Sequence, residues 1–377
     1  MQRRARFVLL AVLLCAPPAL AQSSAELERV LSAALDETGV PGLRAAIRLP
    51  DGRVVTGAVG VADKQTGQPL DDLIGMPGGS TGKTFVAALT MLLVEDGTLS
   101  LRDHASKWIG DRDWFDRLPN ADEIRIHHLL SHSSGIGDYP ATMRFNMAMV
   151  SRAVRSGSAY FEPEELIRFG LDRKPYHEPG DGYVYTDIGY LLLGLIIEQA
   201  SGDEYYTLLE ERILDPHGLS RVRAQRESVL QDIATGYSGR GSTIKKDGRM
   251  KFDPRSEWTG GGLVTTPTML VEFMAALGEG RIVSPDSFRR MVELGWQNPE
   301  HPAFHYGLGL FVDNHGETLS HGGLWPGFRS HMVYDVPTGI AVAIQTNRDN
   351  RVDLEGLSAR VAEVASAEMA ARIRAAM

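Results

Sequence analysis

Apolar positions along this chain change period twice. From Ser23, residues Leu27, Val30, Leu31, Ala34 and Leu35 recur at helical spacing, and Ser23 with Glu26 is placed as a capping box. The pattern predicts an amphipathic opening helix. Leu43 to Leu49 and Arg53 to Val61 read as two strands joined through Pro50-Asp51-Gly52, a turn between apolar alternations that signals a hairpin. From Gly79 to Glu211 the character is helical, with apolar faces over Thr84 to Asp96, Glu164 to Phe169 and Asp187 to Gln199. Strand signals return at Tyr306 to Val312, Arg329 to Asp335 and Ile340 to Thr346, the last two joined by Val336-Pro337-Thr338-Gly339. A closing helix follows from Leu354 to Ile373. This order predicts an α/β (α+β) fold: an antiparallel sheet from both chain ends, flanked by the terminal helices, with an inserted mainly helical domain. Residues 22–75 plus 256–377 form the expected sheet part and 76–255 the helical part, with a cleft between them as the natural site. Ser238 to Lys251, rich in Gly, Ser and Lys, reads as a loop.

Composition narrows the class. The 377 residues, 43% hydrophobic and 23% charged, suit a globular chain of about two domains' length. A net charge of -9 without a dense Lys/Arg stripe is the wrong sign for a nucleic-acid partner. Arg3, Arg4 and Arg6 precede the apolar stretch Phe7 to Leu20, which ends in Ala19-Leu20-Ala21, the order of a secretory signal peptide. A membrane anchor is the alternative, but Pro17 and Pro18 break the run short of the roughly 20 residues a spanning helix needs. Residues 1–21 are therefore expected to be removed, leaving a secreted or periplasmic chain with no membrane span. Cys15, the only cysteine, would leave with them, and so would any disulfide, thiolate metal site or cysteine nucleophile. The pattern sets no oligomeric state.

Two local signals compete for the chemistry. Gly78-Gly79-Ser80-Thr81-Gly82-Lys83-Thr84 has the look of a phosphate-binding loop, but Pro77 stands where that pattern needs its first glycine and no buried strand precedes it. The same residues read as Ser-x-x-Lys opening an apolar helix, which places Ser80 and Lys83 on one face at a helix amino terminus. Serine needs a neighbouring base to become a nucleophile, and lysine serves only if its surroundings lower its pKa. Alone, the pair also suits a helix cap beside a solvated lysine. The second signal, His127-His128-Leu129-Leu130-Ser131-His132, has histidines four apart, as on a zinc-binding helix. No glutamate follows His128, and Ser133-Ser134-Gly135 marks a helix end, so a structural, hydrogen-bonded role is favoured.

Further motifs follow in order: Leu129-Leu130-Ser131-His132-Ser133-Ser134-Gly135, Tyr185-Thr186-Asp187 before a long apolar helix, Gly260-Gly261-Gly262-Leu263, Tyr306-Gly307-Leu308-Gly309 and His321-Gly322-Gly323-Leu324. With Ser80 and Lys83 the set resembles the serine β-lactamase and penicillin-binding-protein family, in particular its class C β-lactamase, D-Ala-D-Ala carboxypeptidase and esterase branch. The resemblance implies Ser80 as acylated nucleophile, Lys83 as its proton acceptor and Tyr185 as general base and acid. It also implies an oxyanion hole of the Ser80 and Leu324 backbone N–H groups. Asp187, His321, Gly323 and Leu324 become the expected substrate contacts, on a small-molecule or peptide ester or amide, without metal or cofactor. A Lys83 ammonium beside Tyr185 is expected to favour the phenolate.

Two positions depart from the branch. Asp187 replaces the usual asparagine of Tyr-x-Asn, exchanging an amide that donates and accepts for a carboxylate that only accepts. The third motif, usually Lys-Thr-Gly or His-x-Gly, is His321-Gly322-Gly323 here, without the threonine hydroxyl and strong cation that would grip a β-lactam or peptide carboxylate. The alternative from a different class is a non-catalytic cell-wall binding or regulatory protein on the same scaffold.

Overall fold

The computed structural model describes residues 18–239, 241–349 and 352–376. Most of the expected signal peptide, Cys15 included, lies outside the described residues. Helix α1 (Pro18–Thr38) leads into the hairpin β1 (Gly42–Arg48) and β2 (Val54–Gly60). It starts before Ser23, so the expected Ser23/Glu26 capping box is interior to the helix; Pro18, with its fixed φ, suits a first turn better. The β1–β2 turn carries Gly52 at φ +85, as the Asp51-Gly52 signal required.

A short strand β3 (Met76–Pro77) introduces the helical block: α2 (Gly82–Glu95), α3 (Ser106–Ile109), α4 (Ile126–Leu130), α5 (Met143–Ser156), α6 (Pro163–Ile167), α7 (Asp187–Ser201) and α8 (Tyr205–Leu209). Next come β4 (Arg223–Ala224), the two-stranded β5 (Tyr237–Ser238) and β6 (Gly241–Ser242) inside the expected loop, and β7 (Leu263–Thr265). Helices α9 (Pro267–Gly278) and α10 (Pro285–Glu293) precede β8 (His305–Tyr306), β9 (Phe311–Asp313), β10 (Thr318–Trp325), β11 (Phe328–Asp335) and β12 (Ile340–Thr346). The chain closes with α11 (Leu354–Ala376).

Seven strands form one antiparallel sheet in the order β2-β1-β12-β11-β10-β9-β8, so the two chain ends meet where β1 pairs with β12, Ala45 opposite Ile344. Period-2 alternation sorts its two faces. Leu43, Ala45, Ile47, Val342 and Ile344 point into an outer core with Leu27 and Leu31 of α1 and Val361 of α11. Ala46, Ala341 and Ala343 point the other way, and their small size lets α9 lie against the sheet and join it to the helical core around α2 and α7.

The late strands differ from the sequence reading. Tyr306 to Val312 is a hairpin: Gly307 N–H bonds Leu310 O at 2.9 Å, and Gly309 turns at φ +81, where a Cβ would meet Ala87 of α2 at 2.3 Å. Strand β10 was hidden by Ser320-His321-Gly322-Gly323, residues with little β preference, and is held by its pairing with β11.

Candidate active site

Ser80 occupies a single 3-10 turn, Gly79–Thr81, between β3 and α2. Gly79 sits at φ +57, and a Cβ there would lie 2.6 Å from Leu324 N, so glycine alone lets the turn approach β10 this closely. Gly323 makes the matching approach from the strand: its Cβ would meet Gly78 O at 1.9 Å. Gly82 fits the turn against Gly261 in the same way. Among the described residues β9 covers the outer edge of β10 only from Thr318 to Ser320, so residues 321–325 border the cleft unpaired on that side. Leu324 is 60% exposed there.

Lys83, the second residue of α2 and three positions after Ser80, has no solvent exposure. Its Nζ donates to Ser80 Oγ at 3.1 Å, Asp187 Oδ1 at 2.5 Å and Gly260 O at 2.5 Å, and lies over the Tyr185 ring at 5.1 Å. Burial opposes the ammonium, but Asp187 and Tyr185 outweigh it and hold the pKa above the ordinary lysine value. Tyr185 precedes α7, whose N-cap Thr186 accepts from Ile188 N–H at 3.1 Å. Ser80 and Lys83 both act to lower the pKa of the Tyr185 hydroxyl.

The expectation of a depressed Tyr185 pKa is overturned. Its crowded surroundings disfavour the phenolate, Lys83 favours it, Asp187 opposes it, and the balance raises the pKa above 10.0. Sequence reasoning missed two further carboxyl groups on the same site. Asp138 Oδ1 accepts from Asp187 N–H at 3.0 Å, and burial, then Asp187, pushes its pKa up to about 7. Glu257, bonded by Gln225 Nε2 at 3.1 Å, is pushed up to about 8, first by burial and further by Asp187. Burial, and after it Asp187, also raises the pKa of Tyr139. Asp138 and Glu257 stand 49 and 70 positions from Asp187, and nothing in the local sequence pattern joins them.

The histidines are placed inside the protein. His132 Nδ1 accepts from Thr186 N–H at 3.2 Å, and its ring lies 4.1 Å from that of Tyr185, so it braces the tyrosine loop. Helix α4 ends at Leu130, and His128 and His132 are not on one helix face. Among the described residues no three His, Cys, Asp or Glu side chains converge as metal ligands. His321, expected as a substrate contact, is 1% exposed, with Nε2 bonded to Tyr306 Oη at 2.9 Å and Nδ1 against Gly322 O at 2.6 Å. Burial and then Lys83 push its pKa down to about 3. It is a neutral support for Tyr306 rather than a cation facing the cleft.

Two adjoining cavities open on Ser80. One, of about 560 Å³, has Tyr139, Phe145, Met149, Phe252 and Trp325 for apolar walls and Asp187, Glu257 and Asp349 for polar ones. The other, of about 490 Å³, runs along Gly322, Gly323 and Leu324 past Tyr185 and Arg329. A serine hydroxyl, a cation, a phenol and a free strand edge thus meet at one cleft.

The family model described as Beta-lactamase matches residues 27–366. The chain belongs to the beta-lactamase family. Penicillin-binding protein 4* of Bacillus subtilis (strain 168) is 26% identical over 75% of this chain and 63% of its own length. A D-aminopeptidase of Brucella anthropi is 29% identical over 77% of this chain, which spans 52% of that protein. The chain therefore spans only about half to two thirds of these curated beta-lactamase relatives. The solved D-amino acid amidase from Ochrobactrum anthropi SV3, complexed with D-phenylalanine, superposes with a TM-score of 0.75 at 26% identity, covering 92% of this chain and 99% of that one. Among the described residues no helix is long and apolar enough to cross a membrane.

Proposed function

We propose that this beta-lactamase-family chain is an exported serine hydrolase that cleaves an ester or amide bond through an acyl-enzyme on Ser80. The reading is carried by the 3.1 Å contact between Lys83 Nζ and Ser80 Oγ at the cleft, with the Tyr185 ring 5.1 Å from the same Nζ and lining the same cavity as Ser80. Tyr185, as phenolate, takes the Ser80 proton while the serine oxygen bonds to the substrate carbonyl carbon. The oxygen charge that develops falls to the backbone N–H groups of Ser80 and Leu324. As the scissile bond breaks, Tyr185 returns the proton to the leaving oxygen or nitrogen. Water, giving its proton to the same group, then cleaves the acyl ester and restores Ser80. Lys83, held as an ammonium by Asp187, stabilises the phenolate instead of accepting the proton itself, a shift from the role the family resemblance implied.

The substrate we favour carries a cationic amine near the scissile carbonyl. Asp187 and Asp349 on one cavity support this, as does the likeness to a D-aminopeptidase and a D-amino acid amidase. Gly323 and Leu324 are the backbone contacts along the strand edge. Reaction with a fluorophosphonate, followed by peptide mass mapping, tests the nucleophile: an adduct on Ser80 is expected, and a protein that stays unlabelled is a binder. Hydrolysis of D-amino-acid amides, amino esters, short-chain esters and β-lactams then assigns the class, amino substrates being expected to lead. Intact mass of the exported protein should place its first residue near Gln22.

A further inference from the structure

Helix α5 is anchored by one face and leaves the other bare. Phe145, 7% exposed, packs on Tyr139 and Phe161 with ring centroids at 4.8 and 5.5 Å, and Met149 walls the Ser80 cavity. Arg152 lies over the Phe161 ring at 4.1 Å and pairs with Glu165 at 2.7 Å. On the other side Met143, Met147, Val150 and Val154 are 78%, 67%, 60% and 79% exposed, four of the ten large exposed hydrophobics among the described residues. At about 100° per residue these four fall within a sector of about 60°, opposite Phe145, Met149 and Arg152. They form a straight apolar stripe along the helix that the fold does not use, and an apolar patch of this kind marks an interaction surface.

Charge identifies the occupant. Met143 to Ser156 contains Arg144, Arg152 and Arg155 and no acidic residue, in a chain whose net charge is -9. Arg144 and Arg155 are both exposed and lie about 100° from the stripe on one flank. At the end of the helix Lys245 Nζ bonds Gly157 O, Arg249 bonds Ser156 O at 3.2 Å, and Lys246 beside them is exposed. An apolar stripe with a cationic rim is the make-up of a helix that lies in the plane of a membrane interface. A second copy fits less well. An antiparallel two-fold contact through the stripe would bring Arg144 and Arg155 of the two copies together along one flank.

We propose that α5 docks on an anionic phospholipid bilayer, with Met143, Met147, Val150 and Val154 in the acyl-chain boundary and Arg144, Arg155 and Lys246 on the phosphates. The docking is independent of the reaction proposed above. Because Phe145 and Met149 are on the reverse of the same helix, the bound orientation sets the cleft about one helix diameter, about 10 Å, from the lipid.

The test uses the full chain with Cys15→Ser and Val150→Cys, the new thiol carrying an environment-sensitive NBD fluorophore. Phosphatidylglycerol vesicles should shift its emission to the blue and raise its intensity at least twofold, an effect that weakens as salt rises. Phosphatidylcholine vesicles should do much less. Adding Met147→Glu and Val154→Glu to the labelled protein should reduce the vesicle-bound fraction at least tenfold, with circular dichroism and Tm showing that the fold is kept. An unshifted probe on phosphatidylglycerol overturns the proposal, even if the protein sediments with vesicles through another segment. So does a shift that grows with protein concentration in the absence of lipid, which would make a second copy the occupant. Binding that survives the glutamate substitutions unchanged overturns it as well.

Discussion

Lys83 Nζ and Asp187 Oδ1 are 2.5 Å apart, with the lysine side chain fully buried and the aspartate 25% exposed. The pair sits where the family branch places a lysine beside an asparagine amide. A carboxylate in that position fixes Lys83 as a cation and raises the cost of ionising Tyr185. It also completes a group of three carboxyls, Asp138, Asp187 and Glu257, around a single lysine.

Ser80→Ala should abolish turnover and leave the fold unchanged. The cap positions on either side, Gly78 and Thr81, make no side-chain capping bond, and the serine hydroxyl accepts from Lys83 at 3.1 Å, so its loss should cost about 1 kcal/mol, the scale of one hydrogen bond. Steady-state kinetics beside thermal unfolding checks it; turnover near the wild-type rate would remove Ser80 from the mechanism.

Lys83→Ala and Tyr185→Phe should part on stability while agreeing on activity. Removing the lysine leaves Asp187 without its cation beside two other carboxyls, at a cost of about 3 kcal/mol, the scale for breaking one side of a buried ion pair. Tyr185→Phe keeps that pair and should unfold near the wild-type temperature. Each should lower kcat/KM by about a hundredfold or more, and the double variant should be little worse than either single, because the groups act with Ser80 as one unit. Additive losses would mean independent roles.

How much of this was legible beforehand depends on the range of the interaction. The β1–β2 hairpin, the buried helix after Ser80 and strand β12 follow from periodicity and turn residues, which are local. Ser80, Lys83 and Tyr185 were legible as motifs in a fixed order, and the structure brings all three together. Strand β10 was not, since Gly322 and Gly323 serve a close backbone approach to Gly78 instead of strand propensity. His321 looked like a ligand because the histidine occurs in a motif position; only packing shows both of its nitrogens engaged inside the protein. Asp138 and Glu257 gain their meaning solely from burial beside Asp187, which no stretch of sequence records.

Glu257→Gln should make the protein more stable at alkaline pH. A carboxyl raised to about 8 in the fold, from an ordinary 4.5, is bound to its proton in the native state at pH values where the unfolded chain has released it. Stability from this group is therefore full below about pH 4 and is lost as pH rises toward 8. Glutamine fills the same space uncharged and escapes that loss. The variant should gain on the order of 1–3 kcal/mol at pH 8.5 and little at pH 4, read by denaturant unfolding at both pH values. An equal gain at both would mean that Glu257 does not titrate with folding.

Asp187→Asn tests the departure that defines the site. With the carboxylate gone, Lys83 loses its strongest partner and Tyr185 loses the charge that opposes its ionisation, so the proton-accepting form appears at lower pH. The kcat/KM profile of the wild type should climb on an alkaline limb, because a base whose pKa is raised works only as pH approaches that value. In the variant the limb should shift to lower pH by about one unit, the size of effect a single close charge produces. Preference for amine-bearing over neutral substrates of the same size should fall about tenfold, since a carboxylate lining the cavity has become neutral. The two readouts separate two roles for Asp187. A shifted limb with preference unchanged would keep Asp187 as the tuner of Lys83 and Tyr185 but move recognition of the amine to Asp349. Changed preference on an unmoved limb would make it a substrate contact only, and no change in either would leave the ion pair a structural one.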